Sequence, residues 1–202
     1  MTKMLFPTPS AGVDEAGRGC LAGPLVAAAV ILPEEFDLTA VKDSKLLSSR
    51  QRDQLEGQIK SQALAWSLGL SWPREIEKLN ILQATIRAMC RAIQRLSLKP
   101  AFVAIDGNQS LPLPIPQQCF VQGDKHYPVI SAASILAKTF RDRLMFHLDR
   151  RYSGYGFAQH KGYGTRDHIQ AIQRLGPCPM HRMTFRPLRK EKKEVTLCLP
   201  GI

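Results

Sequence analysis

The most constraining feature of the chain is the hexapeptide Asp14-Glu15-Ala16-Gly17-Arg18-Gly19, which separates two apolar segments. Residues 11–14 and 25–32 are predicted strands, so two adjacent carboxylates stand where the first strand ends. Neighbouring side chains on a strand point to opposite faces, and both acids serve one site only if the chain turns there. Gly17 and Gly19 permit that turn and a close approach of a polyanion. The hexapeptide predicts a strand ending at an anion site, with a solvated turn as the alternative.

Strands and helices alternate along the rest of the chain. Residues 11–14, 25–32 and 64–70 are predicted to form an antiparallel meander, and two further strands are predicted at 101–105 and 119–122. Helices are predicted at residues 51–62, 80–96, 128–151 and 165–175. The helix at 80–96 has one apolar face. The helix at 128–151 opens with small residues that allow close packing on a sheet, and its Lys138 and Asp142 are spaced as a helical ion pair. These elements predict an α/β protein with one domain at residues 1–185, which includes C-terminal helices, and a basic tail at 186–202.

Four carboxylates stand at or just after the ends of predicted strands. They are Asp14, Glu15, Asp106 and Asp124. Strand ends gather at one edge of an open α/β sheet, so these side chains are expected to converge. Their hard oxygen ligands favour Mg²⁺ or Mn²⁺ over zinc, and two such ions promote in-line displacement at phosphorus. Helix caps and surface turns are the alternative reading of any single acid.

Positive charge is concentrated in the last third of the chain. The net charge is +11, and residues 138–202 hold 14 Lys and Arg against 5 Asp and Glu. Residues 1–137 hold 14 against 12. A one-sided basic region is typical of nucleic-acid binders, because neutralised phosphates release counterions, although solubility is an alternative explanation. Together with the acids, it predicts hydrolysis of a nucleic-acid phosphodiester.

Cysteine usage and hydropathy exclude other classes of protein. Five cysteines without a close pair suit neither a disulfide framework nor a zinc site, and predict reduced thiols. The longest apolar run, residues 21–32, is too short to cross a membrane. No signal peptide is recognisable at the start, so we expect no membrane association and a cytoplasmic location.

The same residues resemble the signature of bacterial ribonuclease HII, the type 2 ribonuclease H. The similarity extends through nearly the whole chain in ordered motifs. They are Ala11-Gly12-Val13-Asp14-Glu15-Ala16-Gly17-Arg18-Gly19, Asp43-Ser44-Lys45, Leu79-Asn80-Ile81-Leu82, Ile105-Asp106-Gly107-Asn108, Gly123-Asp124-Lys125, the segments 130–138 and 155–163, and Arg141-Asp142. So many motifs in one order make a chance resemblance implausible.

The resemblance implies a ribonuclease H-like fold, with a mixed five-stranded sheet flanked by helices and a helical C-terminal extension. It implies cleavage of the RNA strand of RNA–DNA hybrids and incision 5′ of single ribonucleotides in duplex DNA, for ribonucleotide removal and primer processing. The products would carry 5′-phosphate and 3′-hydroxyl ends. A Mn²⁺ or Mg²⁺ cofactor is implied, with one ion before substrate binds and two afterwards. A monomer is expected, and the tail is a candidate contact for a replication clamp.

The resemblance also assigns roles to particular residues. The metal-binding carboxylates would be Asp14, Glu15, Asp106 and Asp124. Gly17, Arg18 and Gly19 would contact the ribonucleotide, their backbone reading the 2′-hydroxyl, while Tyr163 would stack on the sugar of the following deoxynucleotide. Further substrate contacts would be Lys45, Asn80 and Lys125. Solvated lysines are the alternative for Lys45 and Lys125, and a helix N-cap is the alternative for Asn80.

Two positions depart from the usual pattern of the family. Cys20 and Gly164 stand where the family usually has proline, which would stiffen both loops. The preorganisation of the two substrate-reading segments is therefore open.

Two other functions are compatible with parts of the sequence. A two-metal DNA junction nuclease would leave the Gly17-Arg18-Gly19 motif with Tyr163 unexplained. A binding module without catalysis would leave the four acids unexplained. Fold analogy alone does not decide between these alternatives.

Overall fold

The computed structural model describes residues 6–36 and 49–189. Five strands form one sheet: β1 (Ser10–Ala16), β2 (Leu25–Ile31), β3 (Ala65–Ser71), β4 (Phe102–Asp106) and β5 (Gln117–Phe120). The helices are α1 (Ser49–Gln62), α2 (Pro73–Leu79), α3 (Ile81–Gln94), α4 (Gly123–His126), α5 (Pro128–Arg151), α6 (Phe157–His160) and α7 (Arg166–Leu175).

The strand order in the sheet is β3-β2-β1-β4-β5. β1 pairs antiparallel with β2, and β2 with β3, which confirms the predicted meander. β4 lies parallel to both β1 and β5, so the carboxyl ends of these three strands meet at one edge. The predicted mixed five-stranded sheet is therefore confirmed. Three short helices, α2, α4 and α6, were not predicted, because one or two turns offer too few residues to show a helical period.

Alternate residues of β2 serve two hydrophobic layers. Ala27, Ala29 and Ile31 face the layer that holds α3, whose apolar face was predicted from its spacing. Val26, Ala28 and Val30 face the layer that holds α5 and α1. All seven residues of β2 are buried, as expected for a strand covered on both faces. The sheet is thus held rigidly between two helical layers, which holds its carboxyl edge in place.

Gly12 allows α5 to approach β1 closely. A Cβ at this position would lie 2.2 Å from the backbone oxygen of Val129, in the first turn of α5. Backbone atoms cannot give way as a flexible side chain can. We therefore expect Gly12→Ala to destabilise the fold by about 1–3 kcal/mol or more, the range for overpacking a core.

The matched control for this prediction is Gly57→Ala. Gly57 is an exposed glycine of α1, and a Cβ there would meet nothing within 4 Å. Alanine should stabilise the helix by about 0.5–1 kcal/mol. Urea denaturation of both variants compares the two effects. An unchanged midpoint for Gly12→Ala would show that this contact is not tight in solution.

The chain after α5 forms a helical extension, as predicted. Its buried residues pack against the C-terminal half of α5 in a third cluster with Met145, Phe157, Ala171 and Ile172 among its members. Leu188, inside the predicted tail, packs against this cluster, while residues 190–202 lie outside the described part of the chain. Within the described ranges, no helix combines the length and apolar character that crossing a membrane requires.

Candidate active site

Carboxylates from neighbouring strands meet at the shared edge of the sheet. Val13 of β1 is paired with Ile105 of β4, so the next residues along the two strands, Asp14 and Asp106, are also neighbours. The backbone N–H of Glu15 donates to Asp14 Oδ1 at 2.7 Å. The parallel pairing of β1 and β4 thus brings the ends of these two strands together, as predicted.

The turn comes later in the chain than the sequence suggested. β1 continues to Ala16, still paired with Val26, and positive φ begins only at Gly17. Asp14 and Glu15 therefore keep the alternation of a strand. Asp14 hydrogen-bonds with Ser134 of α5, whereas Glu15 lines a small cavity with residues of α3. Glu15 also lines a cleft with Ser134 and Lys138 of α5, so both carboxylates reach the same edge of the sheet.

The position of the fourth carboxylate, Asp124, also differs in detail from its prediction. β5 ends at Phe120, and Asp124 is the second residue of the short helix α4 rather than the end of a strand. Asp124 is buried, and its backbone N–H donates to Asp106 Oδ1 at 3.4 Å. The helix therefore brings Asp124 beside the end of β4.

Electrostatic repulsion marks this edge as a place for a cation. Burial raises the pKa of Asp14 well above its usual value, and the charges of Glu15 and Asp106 raise it further. Burial also raises the pKa of Glu15, and Arg18 partly opposes this shift with a guanidinium 3.5 Å from Glu15 Oε1. A divalent cation would relieve the repulsion, and carboxylate oxygens are ligands that Mg²⁺ and Mn²⁺ accept.

The acids are adjacent without being arranged around one point. Among the residues that the structure describes, no three His, Cys, Asp or Glu side chains stand in a metal-holding arrangement. The donor types and their repulsion fit a hard divalent ion, and the metal-binding role of the four acids stays a prediction.

An open cleft of about 400 Å³ adjoins the acids. Its lining includes Glu15, the Gly17-Arg18-Gly19 loop and Tyr163, so the structure brings the predicted substrate-reading residues together. Sequence reasoning did not select three other residues that line it, Arg52, Ser134 and Lys138. Ser134 and Lys138 are four residues apart on α5, and this helical spacing was the available signal. The Lys138–Asp142 ion pair, predicted from the same spacing, is present at 2.7 Å.

The two loops around this cleft contact each other directly. The N–H groups of Leu21 and Ala22 both donate to the carbonyl oxygen of Gly162, the first at 2.8 Å. The side chains of Tyr163 and the buried Cys20 are hydrogen-bonded. A Cβ on Gly164 would lie 3.0 Å from Leu21 Cδ1. These contacts join the loop that holds Cys20 to the loop that holds Gly164. These are the two positions where proline is usual in the family that the sequence resembles.

The remaining predicted substrate contacts are less informative. Asn80 is the N-cap of α3, its side chain accepting a hydrogen bond from the Gln83 N–H, which confirms the structural alternative. Lys125 is exposed, and its ammonium donates to Gln122. Lys45 lies outside the described residues. Substrate contacts by these three residues stay predictions.

Histidines beneath the Tyr163 loop form a chain of neutral rings. The Cys178 N–H donates to His181 Nδ1, so the proton of the neutral His181 ring lies on Nε2. His181 Nε2 is 3.1 Å from His168 Nε2, and His168 Nδ1 is 2.8 Å from the Tyr163 carbonyl oxygen. His168 therefore accepts from His181 and donates to Tyr163. His168 was not selected from sequence.

This histidine chain predicts acid sensitivity of the fold. Burial lowers the pKa of His168 to about 4 and also lowers the pKa of His181. Between pH 6.5 and 4 the unfolded chain therefore binds protons that the folded protein does not, and stability falls as the pH falls. For His168 alone the loss should be about 3 kcal/mol.

The measurement is the free energy of unfolding between pH 7 and 4, for wild type and His168→Asn. Asparagine keeps a donor near the position of Nδ1 but does not titrate. The variant should lose less stability over this range than wild type. His147→Asn, at an exposed position of α5, should keep the wild-type slope. Equal slopes for all three proteins would contradict the assignment.

Comparisons with known proteins identify the family of the chain. The ribonuclease HII family model matches residues 11–188. The ribonuclease HII of Nitratidesulfovibrio vulgaris is 55% identical over 196 residues, 91% of this chain and 89% of that protein. The ribonuclease HII of Synechococcus elongatus is 54% identical over 193 residues, 93% of this chain and 90% of that protein.

Solved structures show the same fold. The ribonuclease H2 of Pyrococcus horikoshii superposes with a TM-score of 0.75 at 28% identity, over 89% of this chain and 95% of that one. The RNase HII of Archaeoglobus fulgidus, solved in complex with PCNA, gives 0.77 at 26% identity, over 91% and 98%. The chain therefore belongs to the ribonuclease HII family and is an endoribonuclease.

Proposed function

We propose that this protein cleaves the RNA strand of RNA–DNA hybrids and incises duplex DNA on the 5′ side of a single embedded ribonucleotide. The products carry 5′-phosphate and 3′-hydroxyl ends. One observation carries this proposal: the cleft lined by the Gly17-Arg18-Gly19 loop and Tyr163 also includes Glu15 of the acidic edge. A nucleotide whose sugar is read in the cleft therefore has its phosphate beside the carboxylates.

Mg²⁺ or Mn²⁺ is the proposed cofactor, with one ion before substrate binds and two with it. The ligands are Asp14, Glu15, Asp106 and Asp124. When bound, a pair of such ions supplies an activated water and stabilises the leaving oxygen. Burial raises the pKa of Asp14 and the charges of Glu15 and Asp106 raise it further, which supports a cation at this place.

The cleft residues are proposed to distinguish RNA from DNA. The backbone of Gly17, Arg18 and Gly19 contacts the 2′-hydroxyl, and the ring of Tyr163 packs on the next deoxyribose. Tyr163 is 45% exposed, so its ring is accessible to a sugar. Lys138 lies 5.8 Å from the centroid of that ring and adds positive charge to the cleft. We also propose phosphate contacts for Lys45 and Lys125, and a substrate contact for Asn80.

The wider partners follow from charge. The basic excess of residues 138–202 provides affinity for duplex backbones of any sequence. The neighbouring Archaeoglobus structure is a complex with PCNA, and we propose a similar clamp contact for the C-terminal tail, residues 186–202. The tail reaches beyond the described residues at 190–202. We further propose a monomer that acts in the cytoplasm.

The proposed function is tested with a DNA duplex carrying one ribonucleotide. Cleavage on the 5′ side of that nucleotide should require Mg²⁺ or Mn²⁺ and stop when the ion is chelated. An all-DNA duplex of the same sequence is the matched control and should remain intact. Equal cleavage of both duplexes would instead favour a DNA junction nuclease. Cleavage that persists in chelator would exclude the metal.

A further inference from the structure

A buried arginine of the C-terminal extension forms hydrogen bonds to the loop that carries the Gly17-Arg18-Gly19 motif. Arg182 is fully buried, and its guanidinium donates four hydrogen bonds to three carbonyl groups of the loop after β1. Nη2 lies 2.8 Å from the Gly17 oxygen, and Nη1 lies 2.9 Å from the Arg18 oxygen. Both Nη2 and Nε donate to the Gly23 oxygen. The two ends of the loop are thereby joined through one side chain.

The guanidinium charge is compensated by carbonyl dipoles and by the ring of Phe185, whose centroid lies 5.1 Å from Arg182 Cζ. No described carboxylate forms an ion pair with Arg182. Burial lowers the pKa of Arg182 to about 10, so the group is still charged at neutral pH. A buried charge requires compensating groups, and here those groups include the loop carbonyls. Rotating a carbonyl away would leave the charge less compensated, so Arg182 determines the direction in which these carbonyls point.

The direction of the carbonyls determines the direction of the amides. In a planar trans peptide the C=O and the N–H point opposite ways. The peptide that joins Gly17 to Arg18 and the one that joins Arg18 to Gly19 both direct their oxygen at Arg182. The N–H groups of Arg18 and Gly19 therefore point away from it. In the described part of the chain, neither N–H donates to another backbone carbonyl.

We propose that Arg182 is a positioning residue for recognition of the 2′-hydroxyl, because it turns the amides of Arg18 and Gly19 toward the substrate. This inference rests on the proposed function of the Gly17-Arg18-Gly19 loop. Arg141 supports the rest of the loop in the same way, with hydrogen bonds to the carbonyls of Ala22 and Pro24. Arg182 differs from Arg141 because two of its acceptors, the oxygens of Gly17 and Arg18, belong to the Gly17-Arg18-Gly19 motif.

The test measures binding in chelator, so that no cleavage occurs. The quantity is the ratio of Kd for an all-DNA duplex to Kd for the same duplex with one ribonucleotide. Arg182→Lys keeps the charge but cannot span three carbonyls, and it should lower this ratio about tenfold, the value of one hydrogen bond. Affinity for the all-DNA duplex should stay within twofold. Arg174→Lys is the matched control, because Arg174 also donates to a loop carbonyl, that of Gly154, outside the cleft.

The outcomes separate this inference from the proposed function. If wild type shows no preference for the ribonucleotide duplex, the proposed function of the loop fails. If wild type shows the preference and folded Arg182→Lys retains it, the positioning role of Arg182 is wrong. A parallel fall in affinity for both duplexes would indicate a merely structural role and would also overturn the inference.

A measurement on wild type keeps the inference testable if Arg182→Lys does not fold. The backbone amide signals of Arg18 and Gly19 and the Nε–H signal of Arg182 are followed by NMR in chelator. The ribonucleotide duplex should shift all three signals, and the all-DNA duplex should shift them less. If the amide signals of Arg18 and Gly19 shift but the Nε–H signal of Arg182 does not, the proposed positioning of these amides by Arg182 is wrong. Absence of amide shifts would count against the loop as the reader of the 2′-hydroxyl.

Discussion

Asp106→Asn should lower kcat by more than about 100-fold while leaving the affinity for nucleic acid within about twofold. Asparagine keeps the shape of the side chain but removes a charge at the end of β4, where Asp14 and Asp124 also lie. Removing a residue that only hydrogen-bonds to a metal ligand lowers metal affinity or activity by up to about 100-fold. Removing a ligand itself should therefore lower kcat by more. Affinity should persist because it comes from basic residues elsewhere in the chain.

The measurement is kcat on the single-ribonucleotide duplex at saturating Mg²⁺ or Mn²⁺, with Kd measured separately in chelator. Asp167→Asn is a suitable control, because Asp167 is an exposed carboxylate on α7. It should keep wild-type turnover. Wild-type turnover in Asp106→Asn would show that Asp106 does not hold a catalytic ion. A large rise in Kd would mean that Asp106 acts mainly in binding.

Tyr163→Ala should reduce cleavage at DNA junctions more than cleavage of continuous RNA–DNA hybrid. Removing an aromatic ring that stacks on a nucleotide costs on the order of 1–3 kcal/mol, which is about 5- to 150-fold in kcat/KM. The exposed ring lies in the same cleft as the Gly17-Arg18-Gly19 loop. The loss should therefore be largest where a deoxyribose follows the ribonucleotide that the loop reads.

The informative quantity is the ratio of kcat/KM on the single-ribonucleotide duplex to that on continuous hybrid. Tyr163→Phe keeps the ring and removes only the hydroxyl that contacts Cys20, so it should retain most of the wild-type ratio. If Tyr163→Ala leaves the ratio unchanged, Tyr163 is a loop aromatic and the junction is recognised elsewhere. If Tyr163→Phe lowers the ratio as much as Tyr163→Ala, the hydroxyl and its contact with Cys20 matter more than the ring.

The sheet and its acidic edge could be predicted because their signals are local. Apolar runs that end in acid mark β1 and β4, and the glycines after β1 mark the turn. The apolar spacing of α3 and the small residues at the start of α5 predicted the layers that cover the sheet. Where a predicted strand end was wrong by a few residues, strand pairing outweighed the local sequence signal. β1 continues to Ala16 because Val26 of β2 is available as its partner.

The sequence by itself determined the five strands, the four longer helices, the order of the acids and the motifs of the cleft, because each depends on residues a few positions apart. Only the tertiary structure decided how the cleft is held. Arg182 donates a hydrogen bond to Gly17 across 165 positions, and His168 contacts both the Tyr163 carbonyl oxygen and the ring of His181. A single buried arginine or neutral histidine leaves no periodic pattern in the sequence. Its role depends on which carbonyls the fold brings to it, and that is settled only when the C-terminal extension packs against the loop after β1.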